Sequence, residues 1–305
     1  MSTLPVVAAV DGSDESLRAL EWALTDARLR EVPLRVVHAR QYAPGPQPDV
    51  LGTGPPKPPE SPVLDQVRAH LAGRADLPVA EYQELRGAPS AVLPELGDTA
   101  EVIVLGSRGR GGFASLLLGS TGLAAARDAA CPVVVVPPPG REVHEGLPLP
   151  PGPRVVVGLH VDSPAEASLA FAFAEAHLRG ARLHVIAAYP WPPVQIWTVP
   201  GAPVPPAVDE DAVEDEIRTL AAGFLAVHRE RHPDVRVELT TPPGDATGHL
   251  VAASKDAELV VVGRHRRRLL APARMIGSVT QAVLLHAASP VAVIPPTAEP
   301  DPAEE

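Results

Sequence analysis

Residues 87–110 read GAPSAVLPELGDTAEVIVLGSRGR, and residues 244–267 read GDATGHLVAASKDAELVVVGRHRR. Each stretch opens on a glycine. Each carries an apolar run that ends on a second glycine 19 residues later, at Gly106 and Gly263. The likeness extends in both directions. CPVVVVP at 131–137 answers SPVAVIP at 289–295, VVAAV at 6–10 answers VVVGL at 155–159, and LRVVHA at 34–39 answers LHVIAA at 183–188. Self-similarity on this scale marks a duplicated domain, with copies of roughly 140 residues each.

The runs themselves decide the fold class. Residues 6–10, 36–37, 102–105 and 133–136 are short and apolar throughout rather than alternating, as expected for strands buried on both faces of a parallel sheet. Segments of helical period lie between them. In residues 15–30, Leu17, Leu20, Leu24 and Ala27 share a stripe, with Arg18, Glu21, Asp26 and Arg28 mostly elsewhere. Ser13 or Asp14 is the expected N-cap, and Ser61-Pro62 reads as a cap followed by a first-turn proline. Residues 209–231 begin acidic and end basic, which suits a helix dipole. Pro94 falls inside the third helix of the first copy and should shorten or kink it. Strands alternating with helices build βαβ units, so each copy is expected to be a doubly wound, Rossmann-like α/β domain. It should hold five parallel strands with helices on both faces.

The domain boundaries follow from composition. Residues 1–138 form the first domain, 139–152 a Pro/Gly-rich linker, 153–297 the second domain and 298–305 an acidic tail. Pro-rich stretches at 44–62 and 190–206 read as long surface loops or as spacer. Trp191 and Trp197 lie in the second of these, either covering a cleft or simply packing.

The totals narrow the function. A net charge of −11 disfavours nucleic acid as a partner, since phosphate backbones are held mainly by Lys and Arg. No run reaches the length of a membrane span, and residues 1–16 lack a basic leader, so no membrane or secretory role is expected. The single cysteine, Cys131, rules out an internal disulfide and suits a cytoplasmic setting; it reads as a small core residue. His38, at a strand end, reads as structural. No HExxH spacing occurs, and no metal site is expected.

One loop carries chemistry. After the fourth strand of the first copy, Gly106, Ser107, Arg108 and Gly109 are followed by nine residues and then Gly119-Ser120-Thr121: G-x2-G-x9-G-S-T. Glycines permit positive φ and close backbone approach to a ligand. Successive N–H groups in such a loop form an anion nest. The Gly119 step opens a helix whose first N–H groups are unpaired and sit at the positive end of its dipole. The hydroxyls of Ser120 and Thr121 can add hydrogen bonds to phosphate, and Arg108 and Arg110 can neutralise it. Asp11 ends the first strand on the same sheet edge, where open α/β sheets place their ligands.

On these motifs (AAVDGS, RVVHA and G-x2-G-x9-G-S-T) the chain resembles a tandem universal stress protein over nearly its whole length. The resemblance implies sheet order 3-2-1-4-5 and an ATP site, with or without Mg2+. Gly106, Gly109, Gly119, Ser120 and Thr121 would hold phosphates and ribose. Asp11 would lie near the adenosine and the Ala39 backbone against the adenine, with Val10 and Gly12 lining the cleft. The resemblance also implies a homodimer through the fifth strands. The second copy departs from the pattern. Arg266 replaces the second glycine, ten residues separate it from Gly277, and His160 or Asp162 stands for Asp11. It is expected not to bind ATP in the ordinary way and to serve dimer-like packing. The tract Arg264–Arg268 reads as an anion site or as a solvated loop.

No nucleophile–base pair, GK[ST] motif or acidic Mg2+ pair stands out, which favours a nucleotide-binding stress-response or regulatory protein with an unknown protein partner. The alternatives are a slow ATP-hydrolysing or nucleotide-using enzyme, and a dimerisation scaffold that binds no nucleotide.

Overall fold

The computed structural model describes residues 3–41, 61–109, 117–144, 152–191, 209–264 and 276–296. Most of both Pro-rich stretches, the centre of the linker, Arg110, Trp197, residues 265–275 of the basic loop and the acidic tail lie outside the described residues. The chain forms two compact units, Met1–Pro138 and Pro139–Glu305.

The first unit runs β1 (Val6–Ala9), α1 (Asp14–Arg30), β2 (Leu34–Arg40), α2 (Pro62–Leu71), β3 (Ala80–Arg86), α3 (Pro89–Val92), β4 (Val102–Gly106), α4 (Ser120–Asp128) and β5 (Val133–Val136). Its strands pair in parallel in the order β3-β2-β1-β4-β5. Consecutive residues of β1 and β4 are fully buried, so both faces of the sheet are covered, as their unbroken apolar runs require. The caps are local chemistry. Ser13 Oγ accepts from Ser16 N at 3.2 Å to start α1. Ser61 Oγ accepts from Leu64 N at 3.4 Å to start α2, with Pro62 in the first turn. His38 Nδ1 lies 2.8 Å from the same Ser61 hydroxyl and ties β2 to that cap. Beyond α3, residues Pro94–Thr99 tighten into a 3₁₀ helix, the break that Pro94 imposes. Cys131 is buried, and that burial pushes its thiol up to about 12, consistent with a core role.

The second unit repeats the plan with β6 (Arg154–Gly158), α5 (Glu166–Leu178), β7 (Arg182–Ile186), α6 (Glu210–Arg231), β8 (Val237–Thr240), α7 (Ala246–Ala253), β9 (Leu259–Gly263), α8 (Ser278–His286) and β10 (Val291–Ile294). Its parallel order is β8-β7-β6-β9-β10. Asp209 caps α6, whose first turn is acidic and last turn basic. Among the described residues no helix is long and apolar enough to cross a membrane.

The helical stripe of α1 needs one correction. Asp26, expected on the polar side, is fully buried, and Arg30 one turn on meets its carboxylate at 2.7 Å. The second unit repeats the device: Glu175 is fully buried and bonds Arg179 at 2.9 Å. A buried carboxylate persists only when paired.

His184 of β7 is buried, with Nε2 2.9 Å from Thr240 Oγ1 and no partner for Nδ1. Desolvation, reinforced by the nearby Arg154 charge, lowers its pKa from 6.5 to about 4. Between those values the unfolded chain holds a proton that the folded chain refuses. Stability therefore falls as pH falls through that window, by up to about 1.4 kcal/mol per pH unit from this one ring. In urea unfolding of the full chain between about pH 5 and pH 7, His184→Gln should show a shallower loss of stability than wild type. Identical pH slopes would show that the buried ring carries no such burden.

Candidate functional site

The strand order reverses between β1 and β4, and the carboxyl ends of these two strands form the site's floor. Val10, buried, continues β1 by donating its N–H to Val37 O at 2.9 Å. Asp11 follows. Its Oδ1 accepts from Ser13 N at 3.0 Å and from Ser13 Oγ at 2.6 Å, so the residue that caps α1 also fixes the carboxylate. Gly12 between them has φ 79°, a left-handed conformation that favours glycine. Ala39 lies near the end of β2, opposite Leu85 of β3.

The first turn of α1 is pressed against the glycine-rich loop. A side-chain carbon on Gly106 would stand 2.9 Å from Glu15 O, and one on Gly109 would collide with Asp11 Oδ2. Arg108, between the two glycines, bonds Glu15 Oε1 through Nη2 at 3.2 Å, and Arg18 approaches the same oxygen at 3.4 Å. Of the two freedoms glycine gives, positive φ is taken among the described site glycines by Gly12, while at Gly106 the Glu15 backbone, and at Gly109 the end of the Asp11 side chain, stand close to where a side chain would go.

Gly119 differs from both. It is the N-cap of α4 with φ −79° and ψ 157°, ordinary extended values. A side-chain carbon there would meet Ser107 O at 3.6 Å, normal van der Waals contact. Its N–H donates to Ser107 O at 2.7 Å, folding the loop back onto the strand end. Ser120 and Thr121 are the first two residues of α4. With glycine at the cap, the N-cap residue offers the first N–H groups of this helix no side-chain acceptor. Ser107 itself is buried, and its hydroxyl has no hydrogen-bond partner among the described residues. The structure thus brings Val10, Asp11, Gly12, Gly106, Arg108, Gly109, Gly119, Ser120 and Thr121 to one sheet edge, with Ala39 on the adjacent strand. Ser13, Glu15 and Ser107 belong to the same edge, although motif spacing gives no sign of them.

In the second unit the strand register settles which residue replaces Asp11. Val6 pairs with Val102 as Val155 pairs with Leu259, and Leu159 N bonds Ile186 O as Val10 N bonds Val37 O. His160 therefore takes the place of Asp11, and it is exposed. The connection to α5 is longer: Ser13 caps α1 three residues after Val10, whereas Ala165 caps α5 six residues after Leu159 and offers no side-chain hydrogen bond. Gly263 and Gly277 keep their places at the strand end and at the α8 N-cap. Arg266 lies outside the described residues.

The universal stress protein family model matches residues 3–137 and 153–295. A universal stress protein of Mycobacterium tuberculosis is 37% identical over 295 residues, spanning 94% of this chain and 96% of that protein. A solved universal stress protein of Archaeoglobus fulgidus, 17% identical, shares the fold over 97% of each chain with a TM-score of 0.58. Another from Archaeoglobus fulgidus, solved in complex with dAMP, is 26% identical over 47% of this chain and 98% of its own, with a TM-score of 0.33.

The two kinds of glycine respond differently to a side chain. Gly106→Ala should destabilise the protein by about 1–3 kcal/mol through overpacking against α1. Gly119→Ser should be neutral or slightly stabilising, because serine is a preferred N-cap and its space is open. Thermal unfolding of both variants tests this; equal losses would mean that the fold itself requires Gly119.

Proposed function

The chain belongs to the universal stress protein family and carries the family's domain twice, and on that footing we propose that its first unit binds an adenine nucleotide, ATP foremost, as a regulatory ligand. The observation that carries this reading is Gly119. Its dihedrals suit any residue and its surroundings leave room for a side chain, yet as the N-cap it gives the helix no side-chain hydrogen bond. An anion lying across α4 needs that arrangement: close backbone approach, unpaired N–H groups and the positive dipole end. The buried, unpartnered Ser107 hydroxyl beside it is a second group suited to a ligand atom.

In this reading Gly106, Gly109, Gly119, Ser120 and Thr121 cradle the phosphates and ribose. Asp11, held by Ser13, faces the adenosine, Ala39 presents backbone to the adenine, and Val10 and Gly12 line the cleft. Arg108 meets the phosphate charge. Mg2+ would arrive with ATP, since this ion commonly rides on phosphate oxygens with few protein ligands. Binding would alter how Arg108 and Gly109 meet the α1 turn packed on them, and so the surface offered to a protein partner. Cytoplasmic residence belongs to the same reading. The second unit, with His160 for Asp11 and Ala165 for the capping serine, supports the fold rather than a second site of this kind.

Isothermal titration of ATP into the full chain, after release of any co-purified nucleotide, should give a stoichiometry near one per chain. Gly119→Ser should keep the wild-type melting temperature and bind ATP at least about tenfold more weakly, because its hydroxyl takes the N–H that phosphate would use. Absence of binding in wild type, or equal affinity in the variant, would defeat the phosphate-cradle reading; two sites per chain would defeat the assignment to one unit.

A further inference from the structure

Among the described residues, the start of α1 and the turn before it meet the cradle through Asp11 against Gly109, the Glu15 carbonyl against Gly106, and the Glu15 carboxylate on Arg108. They differ in what a ligand can disturb. The first two are packing contacts. Asp11 Oδ1 is pinned by two hydrogen bonds from Ser13. The third is an ion pair between side chains that are each about a quarter exposed, 29% for Arg108 and 24% for Glu15. Pairs as open to solvent as this one are held weakly. A phosphate offers the same guanidinium more negative charge and a bidentate geometry.

Main-chain N–H groups at the start of α4 can bind one phosphate but do not count phosphates. The charged side chains of the loop and the α1 turn can. A monophosphate is served by the helix end alone, whereas each further phosphate adds negative charge close to Glu15 and demands a cation.

We propose that Glu15 sets the site's preference among nucleotides by their number of phosphates, by holding the Arg108 guanidinium for which a polyphosphate must compete. The inference rests on the nucleotide reading above. Glu15 acts as a positioning residue: it touches Arg108, and Arg108 touches the ligand. Two effects of Glu15 have the same sign. Its charge repels the outer phosphates, and its grip on Arg108 withholds their natural partner, so its removal favours ATP over AMP. Arg18, the other cation on Glu15 at 3.4 Å, lies one turn along α1 and serves as the control.

The experiment is titration of AMP and of ATP into the full chain as wild type, Glu15→Gln, Arg108→Gln and Arg18→Gln, with thermal unfolding to verify folding. The quantity read is the ratio of ATP to AMP affinity. Glu15→Gln should raise that ratio by about fivefold or more, Arg108→Gln should lower it by about tenfold, and Arg18→Gln should leave it within about twofold of wild type. An unchanged ratio in Glu15→Gln, with both nucleotides still bound, overturns the proposal and leaves the nucleotide reading standing. Should Glu15→Gln fail to fold, Arg108→Gln decides, since equal weakening of AMP and ATP there also overturns it. If wild type binds neither nucleotide, the nucleotide reading falls and this inference with it.

Discussion

The first turn of α1 lies so close to the end of β4 that there is no room for a side chain at Gly106, and the rest of the first unit's candidate site follows from that approach. With Glu15 O 2.9 Å from where a Gly106 side chain would begin, the loop leaves β4 against the start of α1. That route brings Gly109 onto Asp11 and Arg108 onto Glu15. It also aligns the loop so that Ser107 O can receive the Gly119 N–H, which sets where α4 begins. The floor of the site, its cation and its glycine-capped helix end are thus positioned by a single helix–strand contact.

Both units keep that contact but build on it differently. Gly263 meets α5 as Gly106 meets α1, with Ser168 Oγ and Ala165 Cβ in place of the Glu15 backbone. The longer β6–α5 connection removes the turn in which Asp11 and Ser13 hold one another, and His160 stands exposed at the strand end instead. A duplicated domain can retain its sheet and its strand-end glycine while losing the side chains that give the edge its chemistry, because sheet order depends on buried apolar strands and the edge does not.

Polar groups inside the units show the same economy. Asp26 with Arg30 and Glu175 with Arg179 each set a guanidinium four residues on against a buried carboxylate. His184 has no hydrogen-bond partner for Nδ1 among the described residues, and its burial, with the Arg154 charge nearby, holds the ring neutral well below its ordinary range. These are structural charges, distant in role from the loop carrying Arg108.

The amino-acid sequence alone determined the duplication, the α/β class, the parallel strands, the cap at Ser61 and a cap for α1 at Ser13 or Asp14, because each rests on local patterns: unbroken apolar runs, helical period and hydroxyl-before-helix spacing. It also marked the glycine loop and Asp11, since glycine spacing after a buried strand is a local signal. Tertiary structure decided what spacing cannot express. It separated glycines crowded by α1 from the glycine at 119 that has room to spare, placed Asp26 in the core rather than on the polar stripe, chose His160 over Asp162 through strand register, and set Glu15 on Arg108 across 93 residues of chain. Those facts depend on which backbones approach one another in space, and a linear pattern holds no record of such distances.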